Sequence, residues 1–160
     1  MAGREHVQAL MRDIGPQMGL LEVTEFAEPH VWTLVVDEET VLFVDYDDPG
    51  ARLLLSAEVG EPAEAGRLVL YELLLRYNDA WRETGGGRMA LDPAGVVVQQ
   101  FEMAVAGLEL QRLQAAVGTF VDVLRGWREI LATAGRHDAD ASSATLTMPG
   151  GMMPGGLIRG

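Results

Sequence analysis

An α+β domain, with helices packed on an antiparallel sheet, is the fold the sequence predicts, and three observations carry it. Large apolar residues recur every three or four positions through 110–131. Three Val- and Leu-rich stretches lie between 31 and 59, separated by four-residue polar breaks. A further pair of such stretches flanks Asp92-Pro93-Ala94-Gly95. The expected order is α-β-β-β-α-β-β-α.

The first helix is expected over about residues 3–18, where Val7, Leu10, Met11, Ile14 and Met18 share one face, and Gly15-Pro16 is expected to break or kink it near its end. Strands follow at Val31–Val36, Val41–Tyr46 and Ala51–Val59. The breaks Asp37-Glu38-Glu39-Thr40 and Asp47-Asp48-Pro49-Gly50 are turn-like, so the three read as a meander. Pro62 suits the first turn of a second helix, expected to run to about Arg82. Thr84-Gly85-Gly86-Gly87 should stop that helix, since glycine takes the left-handed conformation that ends helices. A hairpin of Met89–Leu91 and Val96–Phe101 comes next.

In the third helix Leu110, Leu113, Val117, Phe120, Leu124, Trp127 and Leu131 form one stripe. At roughly 1.5–3 kcal/mol per buried side chain this face must be covered. Beyond it the composition turns small, polar and Gly-rich, with Met-Pro-Gly-Gly at 148–151 and again at 153–156. A domain over 1–134 and a flexible Gly/Met-rich tail over 135–160 are therefore expected.

Composition narrows the function. The 160 residues carry 12 basic side chains, all arginine, against 24 acidic ones, a formal charge of -12. Nucleic acid and anionic membrane surfaces are disfavoured partners, because the arginines are scattered and form no basic patch. Cysteine is absent, which removes disulfides and thiol chemistry. No signal peptide or membrane-length apolar run is read, and a cytoplasmic location is expected.

No chemistry is spelled out either. His6, His30 and His137 show no ligand spacing. The acidic stretch Asp37-Glu38-Glu39 with Asp45, Asp47 and Asp48 fails the calcium-loop pattern, because position twelve of a loop starting at Asp45 is Ser56; charge at turns and strand edges explains it better. Gly85-Gly86-Gly87 leaves a helix rather than entering one, unlike a phosphate loop. Ser56, Ser142 and Ser143 lie in no nucleophile elbow. The expectation is no enzyme, no metal and no cofactor.

What the chain has in excess is apolar surface. Leu68, Val69, Leu70, Tyr71, Leu73, Leu74, Leu75, Tyr77 and Trp81 wrap most of the second helix, and such a helix is covered on more than one side. Either a loop folds over its outer side or a subunit interface covers it; self-association over about 1,600 Å² is the favoured reading.

Three stretches then carry a resemblance: Leu74-Leu75-Arg76-Tyr77-Asn78; Thr84-Gly85-Gly86 leading into Met89-Ala90-Leu91-Asp92-Pro93; and Phe120-Val121 followed by Trp127-Arg128 and Leu131. With the element order and the small, acidic, cysteine-free chain, they resemble the class I type III secretion chaperones, the Tir-chaperone-like family, over about residues 5–132. Gly87, the small segment 104–107 and the tail depart from the family pattern.

The resemblance implies a homodimer without catalysis or cofactor that holds the N-terminal segment of a secreted effector in extended form. It places Leu70, Leu74, Tyr77, Trp81 and Leu91 at the dimer interface. It places Val7, Leu10, Met11, Ile14, Met18, Trp32, Leu42 and Val44 in effector-binding grooves. A secretion ATPase or a regulatory protein are further implied partners. The alternative function on the same fold is a regulatory switch that sequesters an anti-activator. The tail, rich in Met and Leu, is a candidate to fold back into the chaperone's own groove.

Overall fold

The computed structural model describes residues 2–26 and 30–144. In chain order the elements are α1 (Ala2–Met18), β1 (Glu22–Phe26), β2 (Val31–Val35), β3 (Val41–Asp47), β4 (Arg52–Gly60), α2 (Arg67–Asp79), β5 (Arg88–Leu91), β6 (Val97–Ala104) and α3 (Leu110–Ala144). The strands form one antiparallel sheet in the order β1-β2-β3-β4-β6-β5. The expected α+β class and antiparallel sheet are present, with one strand more than the sequence predicted.

Alternation along the strands decides which face is core. Trp32 and Leu34, Leu42 and Val44, Leu53 and Leu55, and Val97 and Met103 all turn inward and are buried. Over them lie α1 and α3. α1 contributes Val7, Leu10, Met11 and Ile14, and α3 contributes Leu113, Val117, Phe120 and Leu124. α2 packs beside β5 and reaches α3 through Tyr77, whose ring meets Trp127 edge-on at 5.3 Å between centroids. A hydrogen bond ties α1 to the loop ahead of α3, His6 Nε2 donating to the Leu108 carbonyl at 2.7 Å.

Some departures from expectation have local reasons. α1 keeps its expected end at Met18 but is not broken at Gly15-Pro16; Leu20 N–H closes the last turn on the Gly15 carbonyl at 3.0 Å. β1 was not predicted. α2 starts at Arg67 rather than Pro62, because Gly66 sits at φ 74°, a left-handed conformation that interrupts any helix begun earlier. It also ends at Asp79, three residues short of Arg82. α3 continues past the expected boundary at 134 to Ala144, since an established helix gains one hydrogen bond per added residue. The rest of the expected tail, 145–160, lies outside the described residues.

The stretches that carried the resemblance have physical roles here. Asn78 clamps β5: its Nδ2 donates to the Met89 carbonyl at 2.9 Å, and Met89 N–H donates to its Oδ1 at 2.8 Å. Asp92 Oδ1 accepts from Ala94 N–H at 2.8 Å and Val96 N–H at 2.9 Å, which closes the β5–β6 turn. Arg128 donates to the carbonyls of Glu39 at 3.0 Å and Glu58 at 2.9 Å, pinning α3 to the β2–β3 turn and to β4. Asn78→Ala leaves two partly buried backbone groups of β5 unpaired. About 1–3 kcal/mol of stability should be lost, read as a fall of several degrees in melting temperature.

Candidate protein-binding surfaces

β1 forms one edge of the sheet, so among the described residues no strand pairs with the outer side of its backbone. The strand is held close to α1. A Cβ at Gly15 would stand 3.0 Å from Val23 Cγ2, so the helix approaches this edge because position 15 has no side chain. Between α1 and the edge lies a groove of about 660 Å³ whose lining includes Met11, Gly15, Leu20, Leu21, Val23 and Trp32. Its polar rim includes Gln8, which donates to Glu25 Oε1 at 2.8 Å. Leu21 is 65% exposed there. An unpaired strand edge above an apolar trough suits an added strand: the edge gives backbone hydrogen bonds and the trough takes alternate side chains.

The residues expected to line an effector groove fall mostly elsewhere. Val7, Leu10, Met11, Ile14, Trp32, Leu42 and Val44 are all at most 6% exposed. They are the packed seam between α1 and the sheet, so they hold the protomer together and present almost no surface. Met11 and Trp32 form the floor of the groove, and Met18 is partly buried beside the core. The groove's accessible apolar residues, Leu20, Leu21 and Val23, lie between 18 and 31, where the sequence predicts no element. Two signals for a strand are present there: the β-branched pair Val23-Thr24, and twelve residues between 18 and 31, long for a connection inside a compact domain.

The second surface is on α2 and β5, at the opposite edge of the sheet. Of the five residues expected at a dimer interface, Leu70 and Leu74 are buried within the protomer and Tyr77 is half-buried against α3. Trp81 and Leu91 are exposed. Leu68 and Leu75 stand out furthest, at 83% and 69% exposed; seven residues apart, they lie on one line of the helix. Beside them an apolar cleft of about 330 Å³ runs between α2 and β5, lined by Tyr71, Leu74, Leu75, Met89 and Leu91. Glu72 and Arg76 pair with each other alongside this row.

Charge is unevenly placed. Residues 1–66 hold three of the arginines and fourteen of the acidic residues, which is -11 of the chain's -12. Several acidic groups have cations or donors. Asp37 accepts from Arg125 at 2.8 Å, and this bond, with those from Thr40 and the Glu39 N–H, holds its carboxyl at about 2. Asp47 is held below the usual range by its bond to Arg52. Asp45 goes the other way: burial pushes its carboxyl up. Among the described residues no group of three side chains is placed to hold a metal ion, and no helix is long and apolar enough to cross a membrane.

Comparison with known proteins gives this geometry a relative. The family described as "Tir chaperone protein (CesT) family" matches residues 9–128. Among solved structures, the fold is similar to a chain of the HopA1–SchA chaperone–effector complex, with 18% identity, TM-score 0.67, and coverage of 81% of this chain and 98% of that one. It is similar to a chain of the ExsC–ExsE complex, with 22% identity, TM-score 0.67, and coverage of 78% and 92%. It is also similar to a chain in the structure of the Yersinia pestis type III secretion chaperone SycH with a stable fragment of YscM2, with 19% identity, TM-score 0.59, and coverage of 74% and 97%. No curated protein matches the sequence significantly. These structural likenesses show the fold, and the family match spans three quarters of the chain: it belongs to the Tir chaperone protein (CesT) family of type III secretion chaperones.

Proposed function

We propose that this protein is a cytoplasmic chaperone that binds the N-terminal segment of a type III secreted effector in extended form, acting as a homodimer without catalysing any reaction. The observation that carries the reading is the free β1 edge beside the α1–β1 groove. A client strand added at β1 would gain a ladder of backbone hydrogen bonds and bury alternate apolar side chains over Met11, Leu20 and Val23. Ordering such a segment costs roughly 2–5 kcal/mol or more. Two or three apolar anchors at ~1.5–3 kcal/mol each offset that cost. The effector complex in the HopA1–SchA structure supports an effector as client.

Self-association is read onto α2 and β5, with Leu68, Leu75, Leu91 and the exposed Trp81 as the contact residues. That surface lies at the far edge of the sheet from β1, so pairing would leave both grooves of the dimer open.

Co-expression with a candidate effector, followed by affinity purification and mass measurement of the retained chain, tests the reading. Leu21→Asp puts a charge on the groove wall at an exposed position, so the fold should survive while client recovery falls at least tenfold. Undiminished recovery with this variant would remove the groove from the account.

A further inference from the structure

One face of the sheet lies under the helices; among the described residues the other is open across β1–β4. Its cross-strand rows follow from the register. Phe26 faces Val31, Val31 faces Asp45, and Asp45 faces Leu54; in the next row Thr24, Thr33, Phe43 and Ser56 succeed one another; in the next, Val35 faces Val41. Phe26, Phe43 and Val41 are 50%, 42% and 38% exposed, and Val31, Val35 and Leu54 are half-buried by their neighbours. With strands ~4.8 Å apart and same-face residues ~6.6 Å apart along a strand, this is a patch roughly 15 by 13 Å. Isolated exposed apolar residues are ordinary, whereas a contiguous patch of them marks a contact surface.

Asp45 stands in this patch between Val31 and Leu54. Among the described residues its carboxylate makes no hydrogen bond and no ion pair. Its acidic neighbours on the same face are neutralised: Arg52 bridges Asp47 at 2.8 Å and Glu102 at 2.7 Å, and Arg88 adds a contact to Glu102 at 3.0 Å. A carboxylate walled by apolar side chains is costly until a cation meets it.

We propose that the open face of β1–β4 is a second protein-docking surface, which takes a segment presenting an arginine between apolar side chains, its guanidinium on Asp45 and its apolar groups on Phe26, Val31 and Phe43. The fork of an arginine matches two free carboxylate oxygens. The strong negative charge of residues 1–66 steers such a segment inward. A second copy of this chain is a poor occupant, since two-fold pairing through this face brings like-charged surfaces together. The proposal goes beyond the reading of the β1 edge and stands apart from it, because the open face and the α1–β1 groove are different surfaces.

The test uses the full chain, isotope-labelled for amide NMR, and the peptide acetyl-Leu-Thr-Arg-Thr-Phe-amide, which presents Leu, Arg and Phe on one side of a strand. Shifts are expected to centre on Val31, Phe43, Asp45 and Leu54. Affinity should fall about tenfold when Gln replaces the peptide's Arg, and about tenfold again for the native peptide on Asp45→Asn, whose own spectrum should stay folded. Shifts confined to the α1–β1 groove, equal affinity for both peptides, unchanged binding by Asp45→Asn, or no shift at millimolar peptide would each overturn the proposal. Client capture plays no part in the readout, so this test and the effector-binding test fail independently.

Discussion

Leu10→Asp combined with Ile14→Asp is expected to give no folded protein. Leu10 is 6% and Ile14 0% exposed, and both sit in the seam with Val7 and Met11. Each substitution forfeits ~1.5–3 kcal/mol of apolar burial. Each also asks an unpaired carboxylate to enter an apolar site, an effective penalty of several kcal/mol. The sum exceeds or matches the 5–15 kcal/mol by which a domain is stable. Far-ultraviolet circular dichroism and soluble yield decide it. A folded double variant that merely failed to hold a client would restore the α1 stripe as groove lining.

Leu68→Asp combined with Leu75→Asp should do the reverse: leave the fold intact and separate the subunits. Both positions are largely exposed in the protomer, so aspartate meets water there and disturbs no packing. In a dimer built on α2 and β5 the same two charges would be buried against an apolar partner, costing several kcal/mol per subunit. Light scattering should report a single-chain mass for the variant and twice that for the native protein, with unchanged circular dichroism. A variant that remained dimeric would move the interface elsewhere. Leu74→Asp is a poorer probe, because Leu74 is 5% exposed and its loss would damage the protomer itself.

The parts of the fold legible in the sequence are those where burial imposes a period. The α3 stripe from Leu110 to Trp127 packs as its spacing predicts, and β2, β3 and β4 follow their Val- and Leu-rich stretches. β1 escaped because an edge strand buries little: only Val23 of its apolar residues is drawn toward the core, while Glu22, Glu25 and Phe26 stay in solvent, so alternation is faint. The start of α2 hinged on one backbone angle at Gly66, which composition does not reveal.

The site was less legible than the fold for a single reason. Periodicity marks which side chains are covered, but not whether the same chain or a partner covers them. Leu74 and Leu75 are adjacent and chemically identical, yet one is in the core and the other bare. Apolar surplus in α2 was readable; its assignment to Leu68 and Leu75 rather than Leu70 and Leu74 required coordinates.

Hydrogen exchange on a co-purified effector complex, compared with the free chaperone, tests the central claim most directly. Slowed exchange of β1 amides over 22–26, with protection of an N-terminal stretch of the effector, is the expected result. A client bound with β1 exchanging as fast as in the free protein would contradict strand addition at this edge.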